Sequence, residues 1–552
     1  MANTSLPYHE PGIVTVLIQA SFLLLLNVGN FVLDHTLYCG LLGQVFLGVA
    51  WGTPGAKWLS IETEEVIVQL GYLGLLLIVY EGGLSTCFIA VKANLLLSSC
   101  VAVTGISLPI GLSFVLCKIS GATPLQSFAA GAALCSTSLG TTFTVLGSTG
   151  LVDASLGVVL TSAAMMDDVV GLVMVQIISN LGESSTSISA VTVVRPLLVS
   201  MAFAVCAPLI CSFIARPATL WLNAKRKERP LGILNRFLTI EKTAWFIHTF
   251  MLIGSVAAST YAGTSNLFAA YIAGAAISWW DSQVPHHELV TAESPGTGGA
   301  GNIPGPSVQV SNVSNSTGLL IFKKYYSQPL SKVLKPFFFA SVGFSIPITE
   351  MFNRTIIWKG LVYTPLMVIG KLLCGAWLLR ISFIPRPPAT LMGLLERVKP
   401  RIFRVWGIIH EKSNSSHNVS HMCRDQSLGV SPSSQSQQAR NVQTTTPVSS
   451  SSTIKPRSIY PASIIGCAMT ARGEIGFLIS SIAETNKIFT TRSDTGKSSE
   501  IFLIVTWAIT LCTILGPLAV GLVVRRVKQL QQGVRKKGRF IRGDVLGVWG
   551  IS

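Results

Sequence analysis

Apolar runs long enough to cross a bilayer recur along the whole chain, and they restrict its fold more than any other feature. A helix needs about 20 consecutive apolar residues to span the hydrocarbon core. Reading between polar breaks gives thirteen stretches, at 13–33, 38–54, 64–84, 95–118, 124–147, 151–181, 190–215, 241–262, 264–281, 332–351, 356–383, 458–485 and 499–526. The runs are unbroken rather than alternating, which predicts helices and not strands. Charge decides what surrounds them. Only 12% of the 552 residues are charged, against about 25% in a soluble domain. That is too little for a polar coat and excludes a soluble globular enzyme and a disordered chain. The expected fold is an all-α polytopic membrane protein with about 13 transmembrane helices.

The runs divide the chain. Residues 1–281 form a first membrane half, with the 124–147 and 151–181 helices within it. Residues 282–331 form a polar, low-complexity loop. Residues 332–410 hold further membrane helices and the start of a basic loop, and 411–457 a Ser/Gln-rich loop. Residues 458–527 hold the last two apolar stretches, and 528–552 a basic tail. The glycine run 296–301 follows no strand and has no P-loop lysine, so it lacks the context of a phosphate site. The adjacent His286 and His287 point apart on most backbones and suit a solvated loop. Eleven cysteines are scattered without a CxxC pair. No zinc site, disulfide framework, permanently bound metal or cofactor is expected. The first apolar run lacks a basic leader segment, so no cleavable signal peptide is expected.

The net charge of +17 is concentrated in three places. Arg216, Lys225, Arg226, Lys227, Arg229 and Arg236 follow the seventh stretch. Arg380, Arg386, Arg397, Lys399, Arg401 and Arg404 follow the eleventh, and Arg525, Arg526, Lys528 and others the thirteenth. With thirteen crossings all three clusters fall on one side, cytoplasmic by the positive-inside rule. The N-terminus is then outside or lumenal and the C-terminus cytoplasmic, in a plasma membrane or endomembrane. The basic charge sets orientation and meets the lipid bilayer; nucleic acid is not an expected partner.

A charge at the bilayer centre costs roughly 2.5–3.5 kcal/mol on insertion scales, so charges at that depth are functional candidates. Asp167 and Asp168 stand mid-run in the sixth stretch. Helical spacing puts Asp168 on a small, polar face with Gly157, Thr161, Ala164 and Gly171, and Asp167 about 100° away. Two such anions repel, and each gains by taking up a proton or a cation. Lys371 lies deep in the eleventh stretch, and either aspartate is a natural partner for its ammonium. Arg472 and Glu474, flanked by glycines, suit an interrupted helix better than a regular one. The hydroxyl-rich Ser136-Thr137-Ser138 run suggests a second interruption. The two breaks are central in triplets 4-5-6 and 11-12-13, the inverted-repeat layout of secondary transporters.

These residues resemble the monovalent cation–proton antiporter superfamily, on the NapA/NhaA/Kef-like branch. Met166-Asp-Asp-Val-Val-Gly171 is similar to the paired-aspartate motif of electrogenic members. Ser136–Ser138, Phe337–Ser345, Ile369-Gly-Lys371 and Arg472–Gly476 match further family segments in order. The resemblance implies an inverted-repeat fold with two crossed broken helices. It also implies a homodimer whose core group of helices moves against a dimerising panel. It makes Asp168 the main cation and proton carboxylate, with Thr137, Ser138 and Glu474 nearby. Asp167 pairs with Lys371 when the cation is absent, and Arg472 is a further charge partner. The implied activity is electrogenic exchange of Na+ or Li+ for H+. The aspartate pair and the absence of a GxGxxG regulatory domain after 527 depart from the potassium systems of the Kef type. A K+/H+ antiporter of that type is the alternative.

Rival classes fit less well. An intramembrane aspartyl protease needs aspartates on separate helices, and here they are adjacent. A channel needs no carboxylate–lysine pair, and a sensor needs an output domain. A non-enzymatic transporter is the expected class.

Overall fold

A computed structural model describes residues 10–86, 88, 91, 94–138, 155–183, 190–228, 241–283, 317–379, 459–490 and 498–536. The far side of the first interruption (139–147), the glycine run, the His286-His287 pair, the 380–404 basic cluster, the 411–457 loop and the end of the tail lie outside these residues.

Among the described residues every regular element is helical, and helix occurs in each of the thirteen apolar stretches. In order they are α1 (Ile13–Leu37), α2 (Gly40–Trp51), α3 (Ile61–Leu84), α4 (Leu95–Ser113), α5 (Pro124–Cys135), α6 (Ser155–Glu183), α7 (Ala190–Ile210) and α8 (Arg216–Glu228). There follow α9 (Glu241–Ala262), α10 (Asn266–Gln283), α11 (Gly318–Tyr325), α12 (Lys335–Phe344), α13 (Arg354–Leu372), α14 (Tyr460–Ala468), α15 (Glu474–Thr485) and α16 (Glu500–Lys536). Eight helical spans among the described residues are long and apolar enough to cross a membrane. The aspartate-bearing span, Leu156–Gly182, is one of them.

Three boundaries differ from the sequence reading. Helix begins at Gly318, inside the 282–331 segment read as loop, because Leu319, Ile321 and Phe322 are buried against α3 and α10; Lys323 and Lys324 hid this in the hydropathy pattern. The seventh stretch continues through a π-turn, Cys211–Ala215, into α8. Pro217 has no amide proton and crowds the preceding turn, which is relieved by widening it. The last helix runs to Lys536, into the segment read as tail.

The helices pack in two groups. In one, α3 packs on α10 and α12, α2 on α1 and α12, and α9 on α10. Close approach there depends on glycine pairs. A Cβ on Gly83 would lie 2.2 Å from the Tyr271 carbonyl oxygen, and one on Gly343 2.3 Å from that of Val45. Small residues let backbones meet where lipid supplies no hydrophobic drive. The second group gathers α4, α5, α6 and α13 to α16. Its centre holds the fully buried Asp167, Lys371 and Arg472.

Candidate functional site

Two helix interruptions build the site. The first half-helix, α5, starts with a reciprocal cap. The Gln126 amide donates to Thr123 Oγ1 at 3.3 Å, and the Thr123 amide to Gln126 Oε1 at 2.8 Å. Pro124 suits the first turn, where an amide proton has no helical partner. The helix stops at Cys135, and Ser136 is extended with φ −66° and ψ 146°. The second interruption separates α14 from α15 at residues 469–473. The two breaks meet directly, since the Ser138 amide donates to the Ala471 carbonyl at 2.9 Å. Gly473 permits this approach: a Cβ there would lie 2.7 Å from Cβ of Ser138.

The last carbonyls of α5 have no helical partner and carry the negative end of its dipole. Both buried cations bind there. Lys371 Nζ donates to the Cys135 carbonyl at 2.5 Å, and Arg472 Nη1 to the Ser136 carbonyl at 3.1 Å. Lys371 reaches this point through a small opening, where a Cβ on Gly105 would stand 3.2 Å from the ammonium.

Asp167 and Lys371 are both fully buried and form an ion pair of 2.8 Å. The Thr137 hydroxyl donates to the same carboxylate oxygen at 2.5 Å and accepts from Lys371 at 2.9 Å. It also lies 3.3 Å from the Met469 carbonyl, on the other broken helix. Lys371 thus spends its three protons on Asp167, Thr137 and Cys135. Of the two aspartates open to it in the sequence, the fold gives it Asp167.

Asp168 occupies a different setting. It is partly exposed, and among the described residues its hydrogen-bond donor is Ser136 Oγ at 3.3 Å. Glu474, in the first turn of α15, is also partly exposed and within electrostatic reach. No basic side chain among the described residues forms an ion pair with Asp168. The arrangement sets two partly exposed carboxylates, Asp168 and Glu474, beside a buried, neutralised pair. Such carboxylates can take up a proton or a hard monovalent cation, which seeks oxygen ligands.

Two expected residues enter in other ways. Ser138 joins the helix breaks through its backbone amide. Arg472 forms no ion pair with a carboxylate among the described residues. Its guanidinium is fully buried, its Nε and Nη2 have no hydrogen-bond partner there, and its own carbonyl accepts from Thr513 Oγ1 at 3.0 Å. The sequence reading missed Ser136 as the Asp168 donor and the Cys135 carbonyl as a lysine acceptor. The signal for both was a hydroxyl run that ends a helix and leaves its last carbonyls open.

Several known proteins are similar to this chain. The High-affinity Na(+)/H(+) antiporter NhaS3 of Synechocystis sp. is 28% identical over 172 residues, 31% of this chain and 36% of the relative. The Na(+)/H(+)-K(+) antiporter GerN of Bacillus cereus is 28% identical over 133 residues, 24% of this chain and 34% of the relative. The matched segments thus span about a third of each relative's length. The solved sodium proton antiporter MjNhaP1 of Methanocaldococcus jannaschii aligns with 93% of this chain and 99% of its own, at 11% identity and a TM-score of 0.48. A family model described as "Sodium/hydrogen exchanger, transmembrane" matches residues 23–396, more than half of the chain. With the match running through the paired aspartates and Lys371, this chain belongs to the transmembrane sodium/hydrogen exchanger family.

Proposed function

We propose that the protein is a secondary active antiporter that exchanges Na+ or Li+ for protons across a membrane by alternating access. The observation that carries this reading is the unequal setting of the two aspartates. Asp167 is matched by Lys371, whereas Asp168 is partly exposed and has no ion pair among the described residues. Competition for Asp168 then couples the two fluxes. A proton neutralises the carboxylate; a dehydrated Na+ replaces it, held by the carboxylate and nearby hydroxyl and carbonyl oxygens. With every group ionised, Asp167, Asp168 and Glu474 outnumber Lys371 and Arg472 by one negative charge. A proton on Asp168 cancels that excess, and a neutral core crosses the low-dielectric barrier far more cheaply than a charged one.

Lys371 gives the cycle its electrical character. When Na+ enters, Asp167 can turn from Lys371 to the cation, and the freed ammonium then sheds its proton to water. Net charge moves in each cycle, which makes the exchange electrogenic. The names of the relatives favour Na+, and the K+/H+ reading is kept as an arm of the test.

For the whole protein we propose a homodimer, with α4–α6 and α13–α16 moving against the other helices. The N-terminus is outside, with the basic residues of α8 and of the end of α16 at the cytoplasmic surface. The test is proton flux in vesicles reconstituted with the full chain, driven in turn by Na+, Li+ and K+, with voltage clamped at two values. Wild-type flux that depends on cation and voltage, and that is lost in Asp168→Asn, is expected. Asp168→Asn with full Na+-driven flux overturns the assignment.

A further inference from the structure

Gly171 follows Asp168 by one turn on the same face of α6 and lies against the hydroxyl that Asp168 binds. A Cβ there would stand 3.2 Å from Cβ of Ser136, 3.4 Å from its Oγ and 3.2 Å from Cγ2 of Ile475. Ser136 is pinned where it is. Its carbonyl accepts from Arg472 Nη1 at 3.1 Å, and the Cys135 carbonyl before it accepts from Lys371 Nζ. Two residues on, the Ser138 amide donates to the Ala471 carbonyl at 2.9 Å. Ser136 is also buried, so its side chain has no open solvent to move into. The missing side chain at 171 is therefore what lets a fixed hydroxyl stand 3.3 Å from Oδ1 of Asp168.

A cation held by these two oxygens meets a spacing set by how closely α6 approaches the end of α5. The Ser136 hydroxyl has one proton, which it gives to Asp168 when no cation is present; turned about, it offers a lone pair instead. Li+, Na+ and K+ carry the same charge and differ in size, so selection among them follows the distances between ligand oxygens. A methyl group at 171 would force Ser136 and the aspartate face of α6 apart by a few tenths of an ångström. Successive alkali ions differ in radius by a comparable step. We propose that Gly171 is a positioning residue that sets the spacing of Ser136 and Asp168, and with it the size of monovalent cation that the exchanger prefers. This rests on the antiporter reading and deepens it: the carboxylate supplies the charge, and the packing of α6 on the first helix break supplies the choice of ion.

The test is cation-driven proton flux by the full-length protein in vesicles, with Li+, Na+ and K+ each titrated. Gly171→Ala should favour the larger ions, lowering the KM for Na+ and K+ relative to that for Li+ about three- to tenfold. Ser136→Ala removes the oxygen whose distance is being set. Adding Gly171→Ala to it should then change the KM ratios by less than about twofold. Ser136→Thr adds its methyl group on the other side of the same gap and should move the ratios in the same direction. It also tests the idea if Gly171→Ala fails to fold. Ratios unchanged in both Gly171→Ala and Ser136→Thr, whatever happens to maximal rate, are what a merely structural glycine gives and overturn the proposal. A shift toward Li+, or a full shift in the Ser136→Ala background, overturns it as well. Asp168→Asn separates the two levels. If it abolishes flux while Gly171→Ala keeps the wild-type ratios, only the glycine assignment fails; if it retains flux, the antiporter assignment fails with it.

Discussion

Asp167 and Asp168 are the same side chain at adjacent positions, and the fold gives them opposite surroundings. Asp167 is fully buried, bonded to Lys371 and Thr137, and tied through them to the end of α5. Asp168 is partly exposed, bonded to Ser136, and close to another acid, Glu474. About 100° of helix rotation separates them. One side chain meets Thr137 and Lys371 at the crossing of the broken helices, and the other meets the Ser136 hydroxyl. A carboxylate neutralised by a buried ammonium holds structure together. One without such a partner is left to seek a cation or proton. On the proposed reading, charge at membrane depth serves two purposes here, and the partner set decides which.

The largest expected effect breaks the comparison outright. Asp168→Asn should reduce Na+-driven proton flux in vesicles to that of protein-free vesicles, with folding nearly intact. Asp167→Asn should do the reverse in emphasis. It leaves Lys371 buried without a counter-charge, which costs about 3–5 kcal/mol. The unfolding midpoint in detergent should fall sharply, and adding Lys371→Met should restore much of the loss. Equal midpoints for single and double variants would show that the pair is not coupled.

A mid-sized effect concerns the crossing itself. Gly473→Ala forces a Cβ to within 2.7 Å of Cβ of Ser138 and should cost about 1–3 kcal/mol by overpacking. Denaturant or thermal unfolding would measure it, and no loss would mean that the breaks can separate freely. The hydroxyls sharpen the contrast at the small end. Thr137→Val should cost about 1–2 kcal/mol, because it strips a donor from Asp167 inside a dry network. Ser136→Ala should leave stability nearly unchanged and raise the cation KM a few-fold. If both hydroxyl variants act alike, the two pockets are not distinct.

The pH dependence has a definite sign. A proton on Asp168 excludes the cation, so the apparent KM for Na+ should rise as pH falls and level off at high pH. A KM independent of pH in flux assays would contradict competition at a single carboxylate.

Much of this was legible in the sequence. Long apolar runs must be helical in a bilayer, so helix appeared in every stretch read as one. Charges at membrane depth are costly enough to stand out, and Asp167, Asp168, Lys371, Arg472 and Glu474 were marked on that ground. What could not be read is whatever depends on direction rather than identity. Spacing left Lys371 two candidate partners at equal depth, and only the family resemblance pointed to Asp167. Arg472 was expected beside a carboxylate, yet it donates to the Ser136 carbonyl. Backbone carbonyls leave no mark in a sequence unless a helix end is recognised.

The sequence by itself determined the solvent, the helices and which few charges interrupt the apolar runs. Hydropathy is a sum over neighbours along the chain, and for these features that sum is enough. Only the tertiary structure decided which aspartate Lys371 neutralises, which one remains accessible, and where the two broken helices touch. Those outcomes rest on contacts as distant as Thr137 with Lys371 and Ser138 with Ala471. Such contacts depend on how helices rotate and cross, which no local pattern specifies.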